Sequence, residues 1–136
     1  MSEKQPLILI VDDEPAFREI FGTKLGSDGF RIETAENGEE GVKKAKELLP
    51  DLILMDVKMP KMDGAEAVLK LKEDPATAGI KVIFLTSLGD PRSEMHAMSR
   101  KFSQDFGAQG YIKKTEDLET LTEKVKSYLE NSATSA

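Results

Sequence analysis

No cysteine occurs among the 136 residues, so disulfides, thiolate metal sites and cysteine nucleophiles are excluded. Histidine occurs once, as His96; it reads as a surface residue rather than a phosphohistidine or a metal ligand. Long apolar runs are missing too. The run near the start, Leu7 to Val11, is too short for a secretory h-region or a membrane span, and Asp12-Asp13-Glu14 follow at once. Positive charge is in deficit: Lys plus Arg is 19 against 25 for Asp plus Glu, a net charge of −6. That balance argues against nucleic acid or an anionic membrane as a partner held by bulk charge. There is no internal repeat. What remains is a globular composition, 39% hydrophobic and 32% charged. The length suits one domain, expected over residues 1–131, with 132–136 as a small, polar, frayed tail. The simplest location is cytoplasmic.

Apolar runs and helical patterns alternate along the chain. Leu7 to Val11 reads as a strand. Pro15 then stands where a first helical residue would, and Phe17, Ile20, Phe21 and Leu25 recur at helical spacing until Gly26 to Gly29. Phe30 to Thr34 alternates apolar and charged residues. Asn37 starts a second helix, whose apolar face is Val42, Ala45, Leu48 and Leu49, and Pro50 stops it. Leu52 to Met55 is a strand, Gly64 to Glu73 a helix, and Val82 to Leu85 a strand. A helix carrying Met95, Met98, Phe102 and Phe106 follows; that stripe reads as core, with an adaptable partner surface as the other reading. Gln109 to Ile112 is a short strand. Leu118, Leu121, Val125 and Leu129 mark a last helix.

Five βα units in succession predict an α/β three-layer sandwich with a parallel five-stranded sheet. The runs at Leu7, Leu52 and Val82 are continuously apolar, as strands buried on both faces are, whereas those around Ile32 and Tyr111 suit edges. Strand order 2-1-3-4-5, the flavodoxin-like (βα)5 order, satisfies this. It places the chemistry beyond the carboxyl ends of the strands, at the switch point between the first and third.

Those strand ends carry the polar residues. Asp12 and Asp13 close the first strand, Asp56 the third and Thr86-Ser87 the fourth, while Lys113 and Lys114 follow the fifth. Three clustered carboxylates repel unless a cation joins them. Mg2+ suits the set, because it takes oxygen ligands from one or two carboxylates, water and phosphate. One carboxylate facing outward could then attack phosphorus and form an aspartyl phosphate. Catalysis of such a transfer rests on positioning and charge neutralisation, to which Lys114 and Thr86 would add.

Over roughly residues 6–130 the chain resembles the receiver domains of two-component response regulators, of the stand-alone, chemotaxis-receiver kind. The matching stretches are Ile8 to Pro15 (ILIVDDEP), Asp51 to Gly64 (DLILMDVKMPKMDG), Val82 to Ser87 (VIFLTS) and Gly107 to Lys114 (GAQGYIKK). The resemblance implies that Asp56 is the phosphoacceptor. It implies that Asp13 binds Mg2+ directly, Asp12 largely through water, and Lys58 through its main-chain carbonyl. Thr86 would hydrogen-bond the phosphoryl group, Lys114 would pair with it, and Tyr111 would swing inward as Thr86 moves. That would remodel the face of the fourth helix, fifth strand and last helix. The family usually has proline after the lysine, where this chain has Thr115, which is placed to cap the last helix. The stretch from Thr86 to Lys114 is also longer than in short receivers, and the extra length falls in or before the fourth helix.

The implied function is a single-domain response regulator. It takes phosphate from a sensor histidine kinase and switches a contact with a downstream target protein, as a monomer or a phosphorylation-dependent dimer. It is no enzyme beyond its own phosphorylation and dephosphorylation. Alternatives are a phosphorelay intermediate serving a histidine phosphotransferase, an aspartyl-nucleophile phosphohydrolase, and a binding module that keeps only the fold. The hydrolase reading suffers because Lys58 stands where such enzymes carry a second acid.

Overall fold

The computed structural model describes residues 5–56, 64–86, 110–113 and 117–134. In chain order the elements are β1 (Leu7–Val11), α1 (Pro15–Ser27), β2 (Arg31–Ala35), α2 (Gly38–Leu48), β3 (Leu52–Asp56), α3 (Gly64–Glu73), β4 (Lys81–Thr86), β5 (Gly110–Lys113) and α4 (Leu118–Thr134). The strands form one parallel sheet in the order β2-β1-β3-β4-β5. This is the predicted flavodoxin-like order. The helix expected at Met95 to Phe106, with His96, lies outside the described residues.

Alternation along the central strands divides the core in two, since successive side chains point to opposite faces. Leu9, Val11, Ile53, Met55, Val82 and Phe84 face one side and pack with Val42 and Ala45 of α2 and Val68 and Leu71 of α3. Ile8, Ile10, Leu52, Leu54, Ile83, Leu85 and Ile112 face the other, against Phe21 and Leu25 of α1 and Leu121 and Val125 of α4. β1 and β3 are buried along their whole length, while β2 alternates exposed and half-buried positions as an edge strand should.

Local chemistry sets the helix ends. Pro15 begins α1, where its missing N–H costs nothing. Asn37 caps α2 by accepting the Glu40 N–H at 2.8 Å, and Glu40 in turn accepts the Glu36 N–H at 2.8 Å.

Ile20, Leu48 and Leu49 share the apolar helical spacing, yet they are 53%, 39% and 54% exposed. Ile20 turns away from Phe21 and Leu25, and Leu49 leaves the helix in the left-handed region at φ 50°. The last helix is capped by Asp117, whose Oδ1 accepts the Thr120 N–H at 2.8 Å; Thr115, the expected cap, lies outside the described residues. A helix whose first residue is Leu118 puts its cap one position earlier, at 117. α4 extends as far as Thr134.

Candidate functional site

The site grows out of strand register. β1 and β3 are neighbours, and their last paired residues are Val11 and Met55. One step further along each chain stand Asp12 and Asp56, side by side at the carboxyl end of the sheet. Both are buried, at 0% and 5% exposure, and Asp13 beside them is exposed. One carboxylate oxygen from each of the three lies within 4.8 Å of the others.

The loop carrying the first two acids is held from several sides. The Asp12 N–H donates to the Ala35 carbonyl of β2 at 3.0 Å. Asp12 Oδ1 accepts the Glu14 N–H at 2.8 Å, which fastens the turn into α1, and Asp12 Oδ2 is buried. The Asp12 main-chain oxygen accepts Nη1 of Arg18 at 2.7 Å.

Carboxylates this close, two of them out of water, repel one another and favour a bound cation. Two ligands across an octahedral Mg2+ are about 4.2 Å apart and adjacent ones about 3 Å. Oxygens within 4.8 Å therefore fit a small hard cation reached by some acids directly and by others through water.

Sheet register also brings the remaining candidates to this end. Asp56 pairs with Leu85 of β4, so Thr86 closes the neighbouring strand, and Thr86 pairs with Lys113 of β5. The main chain of Tyr111 lies in β5, opposite Phe84. The side chains of Thr86, Tyr111 and Lys113 lie outside what is described, as do Lys58, Lys114 and Thr115 altogether.

Two residues escape the sequence reading. Arg18 has no sequence signal, because its contact is with main chain and leaves no apolar or acidic pattern. Asp51, the first residue of the DLILMD stretch, sits at the opposite end of β3. Its Oδ2 accepts the Leu7 N–H at 2.8 Å and its own N–H donates to the Leu7 carbonyl at 2.8 Å. Its role is to join β1 to β3.

A doubly wound parallel sheet with acids gathered at its switch point defines an α/β domain of flavodoxin-like topology. The chain belongs to the response regulator receiver domain family, whose model matches residues 8–126. The DNA-binding dual master transcriptional regulator RpaA of Synechocystis is 35% identical over 124 residues, 91% of this chain and 49% of that protein. The chain thus spans about half the length of that curated relative. Protein PilH of Pseudomonas aeruginosa is 34% identical over 122 residues, 90% of this chain and 96% of that protein. Among solved structures, a CheY-like response regulator receiver domain protein from Methanospirillum hungatei superposes with a TM-score of 0.83. It is 31% identical and covers 98% of this chain and 100% of that one. Chemotaxis protein CheY4 of Vibrio cholerae gives a TM-score of 0.79 at 28% identity, covering 91% of this chain and 98% of that one.

Proposed function

We propose that the chain accepts a phosphoryl group on Asp56 from the phosphohistidine of a sensor histidine kinase and so switches its contact with a downstream protein. One observation carries the reading: Asp56 is buried at the end of β3 with its carboxylate within 4.8 Å of those of Asp12 and Asp13. A carboxylate oxygen of Asp56 attacks phosphorus, and the P–N bond to the kinase histidine breaks. The electron pair stays on the imidazole, and Asp56 becomes an acyl phosphate. Mg2+, when bound, offsets the negative charge shared by the acids and the incoming phosphoryl oxygens.

In this reading Asp13 holds the metal directly, Asp12 through water and Lys58 through its main-chain carbonyl. Thr86 and Lys114 engage the phosphoryl oxygens. Tyr111 follows Thr86 and alters the face on which β5 and α4 lie. Membership of the receiver family and the grouping of the three acids support these roles. The chain acts as a receiver unit, and no described helix is long and apolar enough to cross a membrane.

Incubation with Mg2+ and acetyl phosphate, followed by intact-mass measurement, tests the reading. A single phosphate adduct that disappears in Asp56→Ala is the expected result. Absence of any adduct overturns it in favour of a binding module. Sustained turnover of phosphomonoesters overturns it in favour of a hydrolase.

A further inference from the structure

We infer that Arg18 is a positioning residue for the metal site, setting the direction of the Asp13 carboxylate through the peptide that precedes it. The inference rests on the metal-dependent reading above. The carbonyl of Asp12 and the N–H of Asp13 belong to one planar peptide unit, which turns as a body about its two flanking Cα atoms. Arg18 Nη1 donates to that carbonyl oxygen at 2.7 Å. On the near side the Asp12 N–H is fixed to Ala35 at 3.0 Å, and Asp12 Oδ1 is fixed to the Glu14 N–H at 2.8 Å. Asp12 is therefore anchored on its own account, and it is buried.

Asp13 differs. It is exposed, so packing does little to orient it, and its direction depends on its two flanking peptides, one held by Arg18 and the other by Asp12 Oδ1 through the Glu14 N–H. Arg18 holds the preceding peptide from the second turn of α1, a rigid platform. A charged donor to a carbonyl makes a stronger bond than a neutral one.

Two effects of Arg18 oppose each other, and their signs differ. Its positive charge near the acids disfavours a divalent cation. Its grip on the peptide preorganises Asp13 and favours one. Outer-shell partners of metal ligands typically contribute about 10-fold to 100-fold in metal affinity, and a single charge on a half-exposed side chain is screened by water and salt. The grip dominates.

The test is calorimetric titration of Mg2+ into the metal-free full chain, comparing Arg18→Met, which keeps the apolar stem and removes the donor. The expected result is a rise in the Mg2+ dissociation constant of about tenfold, the low end for outer-shell residues, while the melting temperature in chelator stays close to that of the parent. Arg18→Lys, which keeps one donor without the planar fork, should rise by less. Equal or tighter Mg2+ binding by Arg18→Met overturns the inference, tighter binding being the mark of charge alone. If Arg18→Met fails to fold, Arg18→Lys decides: weakened Mg2+ binding supports the role and unchanged binding overturns it. Failure of the unsubstituted chain to bind Mg2+ removes the metal-dependent reading itself, a separate outcome.

Discussion

Gly41 lets α2 rest directly on Val11 of β1: a Cβ at position 41 would lie 2.8 Å from both γ-carbons of Val11. Valine is stiff about χ1, so its methyls cannot swing aside cheaply. Val11 is also the residue before Asp12, at the last rung shared with β3. The absence of one side chain thus sets the distance between a helix and the strand end that carries the acids.

Gly41→Ala should therefore destabilise the domain even though alanine favours helix. The propensity gain is at most about 1 kcal/mol, whereas forcing a methyl into a packed core costs about 1–3 kcal/mol. A net loss of about 1 kcal/mol follows, read as a lower urea midpoint with an unchanged slope. A raised midpoint would show that the helix moves off the sheet freely.

Asp51 should behave as a structural acid. Asp51→Ala leaves the Leu7 N–H without its carboxylate partner, which costs about 1 kcal/mol at a part-buried site. Because Asp51 is at the amino end of β3 and Asp56 at its carboxyl end, phosphate incorporation from acetyl phosphate should be unchanged at a temperature where both proteins are folded. A loss of labelling without a loss of stability would contradict this placement.

Much of this was open to reading in the chain itself, for physical reasons that differ by element. Continuous apolar runs mark β1, β3 and β4 as doubly covered, and central strands of that kind agree with the observed order. The acids were legible because each stands just past such a run. The exposure of Leu48 and Leu49 was not, because apolar spacing near a helix end does not say where the neighbouring sheet stops; Ile20, in the middle of α1, stands at the edge of the stripe set by Phe17, Phe21 and Leu25. Nor was the cap at Asp117, since Thr115 and Asp117 both have capping side chains and only the position of Leu118 chooses between them. Arg18 bonds a main-chain oxygen, which any residue offers, so nothing in the sequence singles out its partner.

The cap at Asp117 predicts a pH effect with a definite sign. The Thr120 backbone N–H, then the Thr120 hydroxyl and the Glu119 N–H, hold its carboxyl below the ordinary value of 3.8. A carboxyl whose folded value is depressed contributes stability that is complete above its unfolded value and is lost as pH falls through the folded one. The melting temperature of Asp117→Ala should thus lie below that of the parent by a constant interval above about pH 3.8, and the interval should shrink under more acidic conditions. An interval that persists undiminished below that range would mean that the charged cap is not its source.

Asp13 should show opposite effects on stability with and without metal. Without a cation, its charge adds to those of Asp12 and Asp56, within 4.8 Å, and like charges at that range disfavour the folded cluster. Asp13→Asn removes that repulsion while keeping size and shape, so in chelator at low ionic strength the variant should melt above the parent. Added salt should narrow the difference, since Asp13 is exposed and its field is screened. With Mg2+ the order should reverse. A ligand at one hundred times its dissociation constant stabilises the binding state by about 2.7 kcal/mol, a gain that the parent receives and the variant largely forfeits. Melting curves recorded in chelator and in Mg2+ should therefore cross in rank. Parallel Mg2+ shifts in both proteins would show that the ion binds without Asp13, and that the acids meet at this strand end for another reason.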